Sequence, residues 1–426
     1  NTRIARGTRV SLEMRMPPPR SDSTLQWTVV LFIAVVYLSW FTWFVSRVGG
    51  GGAVYALYYL PVVHAAVSAV VIPRSHALKP DKASAMLTIG GVAFFLAYFL
   101  AHQVFSQPDQ PHDVAGISLD LGVFNLLGIL PAIALAFTLL RNPHQYAKPV
   151  AMSVMGCLFI DAVLTYRLVQ TEPLASKVLA TVDGMTMYGS SGASGFFIAN
   201  SVAVLLPAFL SHGTNKRERI WWLASLGGVA FIYTCGYLLT VIAVLISILA
   251  YYFFLARRRT RIISLGAICL LLSAFASGAS ALAATTLDWL SLHVSFYEIS
   301  RRLSDLSTFI STGASDDPSL ERFALYQRSW DVFQSSPIFG AFASASHTGL
   351  SGHSTVLDVL ASMGLVGFLA LLIAVVGVYL MGARLLRSRQ EVAGLRASYA
   401  TLFFIALVNP VLNSPAIVFS ATTVVP

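Results

Sequence analysis

Residues 352–367 read G-H-S-T-V-L-D-V-L-A-S-M-G-L-V-G, and the apolar run they open carries no charge from residue 359 to residue 383. About 20 apolar residues suffice for a helix to cross a ~30 Å hydrocarbon core. This stretch therefore reads as a membrane-crossing helix, with His353 at its mouth and Asp358 in its first turn. Just upstream, residues 321–340 read E-R-F-A-L-Y-Q-R-S-W-D-V-F-Q-S-S-P-I-F-G. They bring Arg322, Arg328 and a Pro-Gly turn to the same mouth.

Outward from this point, apolar runs of similar length recur along nearly the whole chain. Of the 426 residues 56% are hydrophobic and only 11% charged, with mean hydropathy +0.72. A soluble chain would carry about a quarter charged residues. The expected fold is all-α: a polytopic integral membrane protein with 11–12 transmembrane helices and a long external loop. A transmembrane β-barrel would show short alternating segments instead. Helices are expected near 27–46, 53–72, 84–104, 119–140, 149–168, 192–211, 220–237, 238–256, 262–283, 354–382 and 398–411. A twelfth, short and interrupted, runs from about 415. Only the break at 233–236 separates the seventh from the eighth. Residues 27–46 are too long and aromatic for a cleavable signal, so 1–26 read as a cytoplasmic tail before a retained first helix.

The loops alternate in charge. Twenty-one of the 28 basic residues fall in the tail and in every second loop, including Arg257–Arg259, Arg261, Arg384, Arg387, Arg389 and Arg396. Short basic loops stay cytoplasmic, which puts the N-terminus inside. The net charge of +9 is thus an orientation signal and excludes a nucleic-acid footprint. Cys157, Cys235 and Cys269 lie in apolar segments with no metal-ligand or disulfide spacing. No metal site or cofactor is expected.

The remaining basic residues fall outside by this reckoning, among them Arg167, Arg301, Arg302, Arg322 and Arg328. Four belong to an external segment, residues 284–353, far longer than an ordinary connection. Within it Asp317 reads as a cap and Pro318 as the first helical residue. Phe323, Tyr326, Trp330 and Phe333 then recur at helical spacing, giving an amphipathic helix over 318–335. A second, poorer one covers 288–309. A guanidinium fork matches phosphate oxygens in pairs, so cations held at an outer boundary suit an anionic, lipid-linked substrate. Ordinary ion pairs with Glu321 or Asp331 are the plainer reading, above all for Arg328.

His353 at a water–lipid boundary can act as a general base or serve as an interfacial side chain. Asp358 either orients it or bonds a helix neighbour. Gly364 and Gly367 read as sites of close helix packing. Asp161, in the middle of the fifth helix, is a costly intramembrane carboxylate, suited either to a proton path or to a neutral bond between helices. The chain carries no zinc, nucleotide or paired-cysteine motif.

Together, R-x-x-x-Y-x-x-x-W from Arg322, S-P-I-F-G at 336–340 and the stretch 352–367 resemble the C-terminal signature of the O-antigen polymerase and ligase superfamily. N-P-V-L-N-S-P at 409–415 is similar to polymerase endings. The resemblance implies a GT-C-like fold in the bacterial inner membrane and an inverting, metal-independent glycosyltransferase. The donor would be an undecaprenyl-diphosphate-linked glycan on the periplasmic face. Implied partners are a chain-length regulator, a flippase and membrane lipids. On this likeness His353 matches the family histidine that activates the acceptor, and Arg322 the arginine that binds diphosphate. The family's Ser-Arg pair would fall near 234–237, where this chain has Cys235-Gly236. A second diphosphate arginine must then come from Arg167, Arg301, Arg302 or Arg328. The wording around His353 is closer to polymerases than to ligases. A transporter built around Asp161 is the competing class; against it stands the lack of repeated hydropathy or paired broken helices.

Overall fold

The computed structural model describes residues 27, 29–34, 48, 56–57, 82–99, 150, 152–160, 163, 192–216, 219–235, 238–276, 280–294, 297–312, 321–340, 354–409, 411–413, 417–418 and 420–421. These residues are 94% helical and contain no strand, as an all-α fold requires. Among them, ten helices and a short 3₁₀ turn have defined bounds. The helices are α1 (Lys82–Phe99), α2 (Gly192–Lys216), α3 (Arg219–Cys235), α4 (Leu238–Leu255) and α5 (Arg258–Ala276). They continue with α6 (Ser280–His293), α7 (Tyr297–Thr312), α8 (Glu321–Ser335), α9 (Thr355–Leu385) and α10 (Arg389–Val408), and the turn is Val411–Asn413. Two of them, α9 and α10, are long and apolar enough to cross a membrane.

The expected break between the seventh and eighth apolar runs is present, with α3 ending at Cys235 and α4 beginning at Leu238. Three boundaries differ. The run expected over 262–283 divides into α5 and α6. The segment expected as one helix over 288–309 is a hairpin of α6 and α7, tied by Ser300 Oγ donating to Ser291 O at 2.6 Å and Ser307 Oγ to Ala284 O at 2.8 Å. The last long helix begins at Arg389 rather than near 398. Ser388 and Glu391 form a capping box there: each side chain accepts from the other's backbone N–H, which satisfies donors a helix start leaves open. The expected helices at 27–46, 53–72 and 119–140 lie largely or wholly outside the described residues, as do Asp317 and Pro318. Of 149–168, residues 150, 152–160 and 163 are described and helical.

The core is built on α2, which packs against α3, α4 and α10. Pro207 lies inside α2 and has no N–H to donate to the carbonyl four residues back. That carbonyl, Ala203 O, accepts from Ser247 Oγ on α4 at 3.0 Å. A neighbouring helix thus repairs the gap the proline leaves. Thr240 Oγ1 donates to Asn200 Oδ1 at 3.2 Å across the same pair. Helix α9 crosses α1 through small residues. A Cβ on Gly90 would stand 2.5 Å from Ala374 N, and one on Gly377 2.5 Å from Leu87 N. Only glycine allows backbones this close.

Candidate functional site at the mouth of a broken helix

Helix α9 is interrupted. Gly364 has φ 61° and ψ −161°, a conformation essentially closed to residues with a Cβ. The turn at 336–340 fills the interruption. Leu365 N–H donates to Pro337 O at 2.9 Å and Val366 N–H to Ile338 O at 3.2 Å. The turn's carbonyls thereby stand in for the intrahelical acceptors that the break removes. Gly340 closes the turn at φ 66°, its N–H donating to Ser336 O at 2.7 Å. A Cβ on Gly364 would strike the Ile338 carbonyl, and one on Gly340 would stand 2.6 Å from Gly364 N. The expected role of Gly364 in helix packing gives way to a turn–helix interlock.

This interlock seats α8 on α9. Ser329, fully buried, donates from Oγ to Asp358 Oδ1 at 3.0 Å. One turn earlier, Tyr326 OH donates to Val408 O at 3.0 Å, reaching the end of α10. The docked face of α8 is therefore Tyr326 and Ser329. Trp330, expected with Tyr326 on the apolar side of this helix, is 40% exposed and tilts against Phe333 with ring centroids 5.3 Å apart.

The start of α9 is a polar knot. Ser354 caps it, its Oγ accepting from Leu357 N–H at 3.2 Å. Asp358 Oδ2 accepts from Ser354 N–H at 3.3 Å, so this carboxylate both stabilises the helix start and anchors α8. Thr355 reaches the C-terminal segment: its N–H and its hydroxyl both donate to Asn409 O at 3.1 Å. The Thr355 hydroxyl also accepts from Val411 N–H at 2.6 Å. Asn409 itself is 2% exposed, and its amide nitrogen has no hydrogen-bond partner among the described residues.

The expected site residues are distributed as follows. Asp358 lies in the knot, bonded to Ser329 and Ser354. Arg328 is on an exposed face of α8, and Asp331, a partner expected for it, accepts from Gln327 Nε2 at 2.8 Å. Arg301 and Arg302 sit on α7, which packs chiefly on α6. Arg301 is exposed and its Nε pairs with Asp305 at 3.8 Å. Such a surface pair contributes little to stability. Arg322 lies in the first turn of α8, but its side chain lies outside the described residues, as do His353, Arg167 and Asp161. Sequence reasoning did not single out Ser329 or Thr355, because a serine or threonine reveals its partner only once another helix is placed beside it. Asn409 carried a signal, the N-P-V-L-N-S-P ending. Among the described residues no group of His, Cys, Asp and Glu has metal-binding geometry. No family model matches this chain, and no curated protein matches it.

Proposed function

We propose that this chain is a multi-pass glycosyltransferase of the bacterial inner membrane, polymerising undecaprenyl-diphosphate-linked repeat units on the periplasmic face. The single observation that carries this reading is the junction at the start of α9. The three segments that bear the family likeness, helix 321–335, turn 336–340 and helix 355–385, are hydrogen-bonded into one unit. His353 directly precedes the cap of α9 in the chain, and Arg322 is the second residue of the helix docked beside it. A membrane setting is supported by inverted polarity. Asn200, Ser201, Thr240, Ser247 and Thr401 are fully buried, whereas Ile263 is 71% exposed, Leu270 72% and Leu223 67%. Lipid, unlike water, accommodates such an apolar exterior.

In this mechanism His353 takes the proton of the acceptor hydroxyl as its oxygen attacks the anomeric carbon, and the sugar–diphosphate bond breaks with inversion. Arg322, with a second guanidinium from Arg167, Arg301, Arg302 or Arg328, offsets the charge that develops on the leaving diphosphate. A ligase would use the same donor and chemistry and pass the glycan to lipid A-core instead. A transporter is favoured by one observation, the interruption of α9 at Gly364, since broken helices build many transport sites.

Complementation of a host lacking the chain separates these readings. The glycosyltransferase reading predicts that His353→Ala abolishes surface polysaccharide while Asp161→Asn restores it to near wild-type level. The opposite pattern, with Asp161 essential and His353 dispensable, supports the transporter. Long lipid-linked glycans that accumulate without reaching lipid A-core in the host lacking the chain, and reach it on complementation, identify a ligase.

A further inference from the structure

We infer that Asn409 is a substrate-positioning residue, its side-chain amide donating to a sugar hydroxyl of the glycan. This deepens the glycosyltransferase reading and rests on it. A primary amide nitrogen removed from water without an acceptor costs roughly 1–3 kcal/mol, and folded proteins rarely leave one so. Asn409 is 2% exposed and its Nδ2 has no partner among the described residues. Its backbone is nevertheless tightly held. Asn409 N–H donates to Ile405 O at 2.7 Å, and its carbonyl accepts from both donors of Thr355 and from Val411 N–H at 3.0 Å. The residue is thus fixed in place with a donor to spare.

Its position decides what the donor meets. Thr355, to which Asn409 is bonded, is the first residue of α9, one turn from Asp358 and two residues after His353. Ser354, the residue before Thr355 in the chain, donates from its N–H to the Asp358 carboxylate, which places that carboxylate at the same helix start that Asn409 is bonded to. A carboxylate disfavours a phosphate beside it. A neutral hydroxyl suits the place better, because its oxygen can accept from an amide. The ligand class is therefore the carbohydrate, and the diphosphate is held elsewhere.

The test measures binding by the purified full chain in nanodiscs, with two probes: undecaprenyl diphosphate without sugar, and lipid-linked repeat units extracted from the native host. Asn409→Leu keeps the volume and removes the donor. The inference predicts about tenfold weaker binding of the glycan-bearing lipid, the size of one neutral hydrogen bond. Binding of bare undecaprenyl diphosphate and the melting temperature should be unchanged or improved. Asn409→Asp, which replaces the donor with an acceptor, should show the same selective loss and serves if the leucine variant does not fold. Equal loss for both probes would assign the amide to the diphosphate and overturn the inference. So would unchanged binding of both, or a fall in melting temperature that accounts for the loss. Wild-type protein that binds neither probe refutes the glycosyltransferase reading itself.

Discussion

Gly364 is the residue at which α9 breaks and the turn at 336–340 enters. At φ 61° and ψ −161° it occupies a region where a side chain costs of order 1–3 kcal/mol, before the collision with Ile338 is counted. Gly364→Ala is therefore expected to lower stability by about 3 kcal/mol or more, seen as a lower midpoint in thermal unfolding in detergent. The matched control is Gly91→Ala, where a Cβ meets nothing within 4 Å, and it should be neutral. Little of this was legible in the sequence. L-A-S-M-G-L-V-G reads as continuous helix, and the carbonyls that fill the break come from a turn some two dozen residues upstream. For Asp358 the sequence leaves two roles, orienting His353 or bonding a helix neighbour. Asp358 does bond a helix neighbour, Ser329, a pairing that depends on a helix docking no local pattern encodes, while His353 lies outside the described residues.

At the scale of elements, glycine and alanine decide which helices touch. Gly90 on α1 faces Ala370 and Ala374 on α9, and Gly377 faces Ala83 and Leu87. Small residues let two backbones approach until van der Waals contact is continuous along the crossing. Gly90→Leu puts a side chain where Ala374 N now lies 2.5 Å from the nearest possible Cβ. It should separate α1 from α9, and a cysteine pair placed across the crossing should lose its cross-link. Cross-linking at wild-type yield would show that the two helices do not rely on this contact. Helix identities were readable from apolar run length. Their starts were less so, because α10 opens with Arg389, Glu391 and Arg396, which resemble a loop in sequence. In the fold those charges have helical work: Arg389 Nη2 donates to Leu255 O at 2.7 Å and Ala256 O at 3.1 Å, satisfying carbonyls at the end of α4.

Over the whole molecule, two features stand out among the described residues: helices without strands, as the expected all-α fold requires, and large apolar side chains turned outward around buried serines, threonines and asparagines. Composition made the first legible because no strand-forming alternation competes with the long apolar runs. The site was legible only in outline. Its segments could be named from their wording, whereas their joining through Ser329, Gly364 and Asn409 is a property of packing. The proposed chemistry needs no more than this junction, the histidine before it and cations at its rim. The most direct test is glycan transfer by purified wild-type protein in nanodiscs, supplied only with undecaprenyl-diphosphate-linked repeat units, with EDTA throughout. The account predicts a ladder of progressively longer lipid-linked glycans. Substrate recovered unchanged, or transfer only when metal is restored, would contradict it.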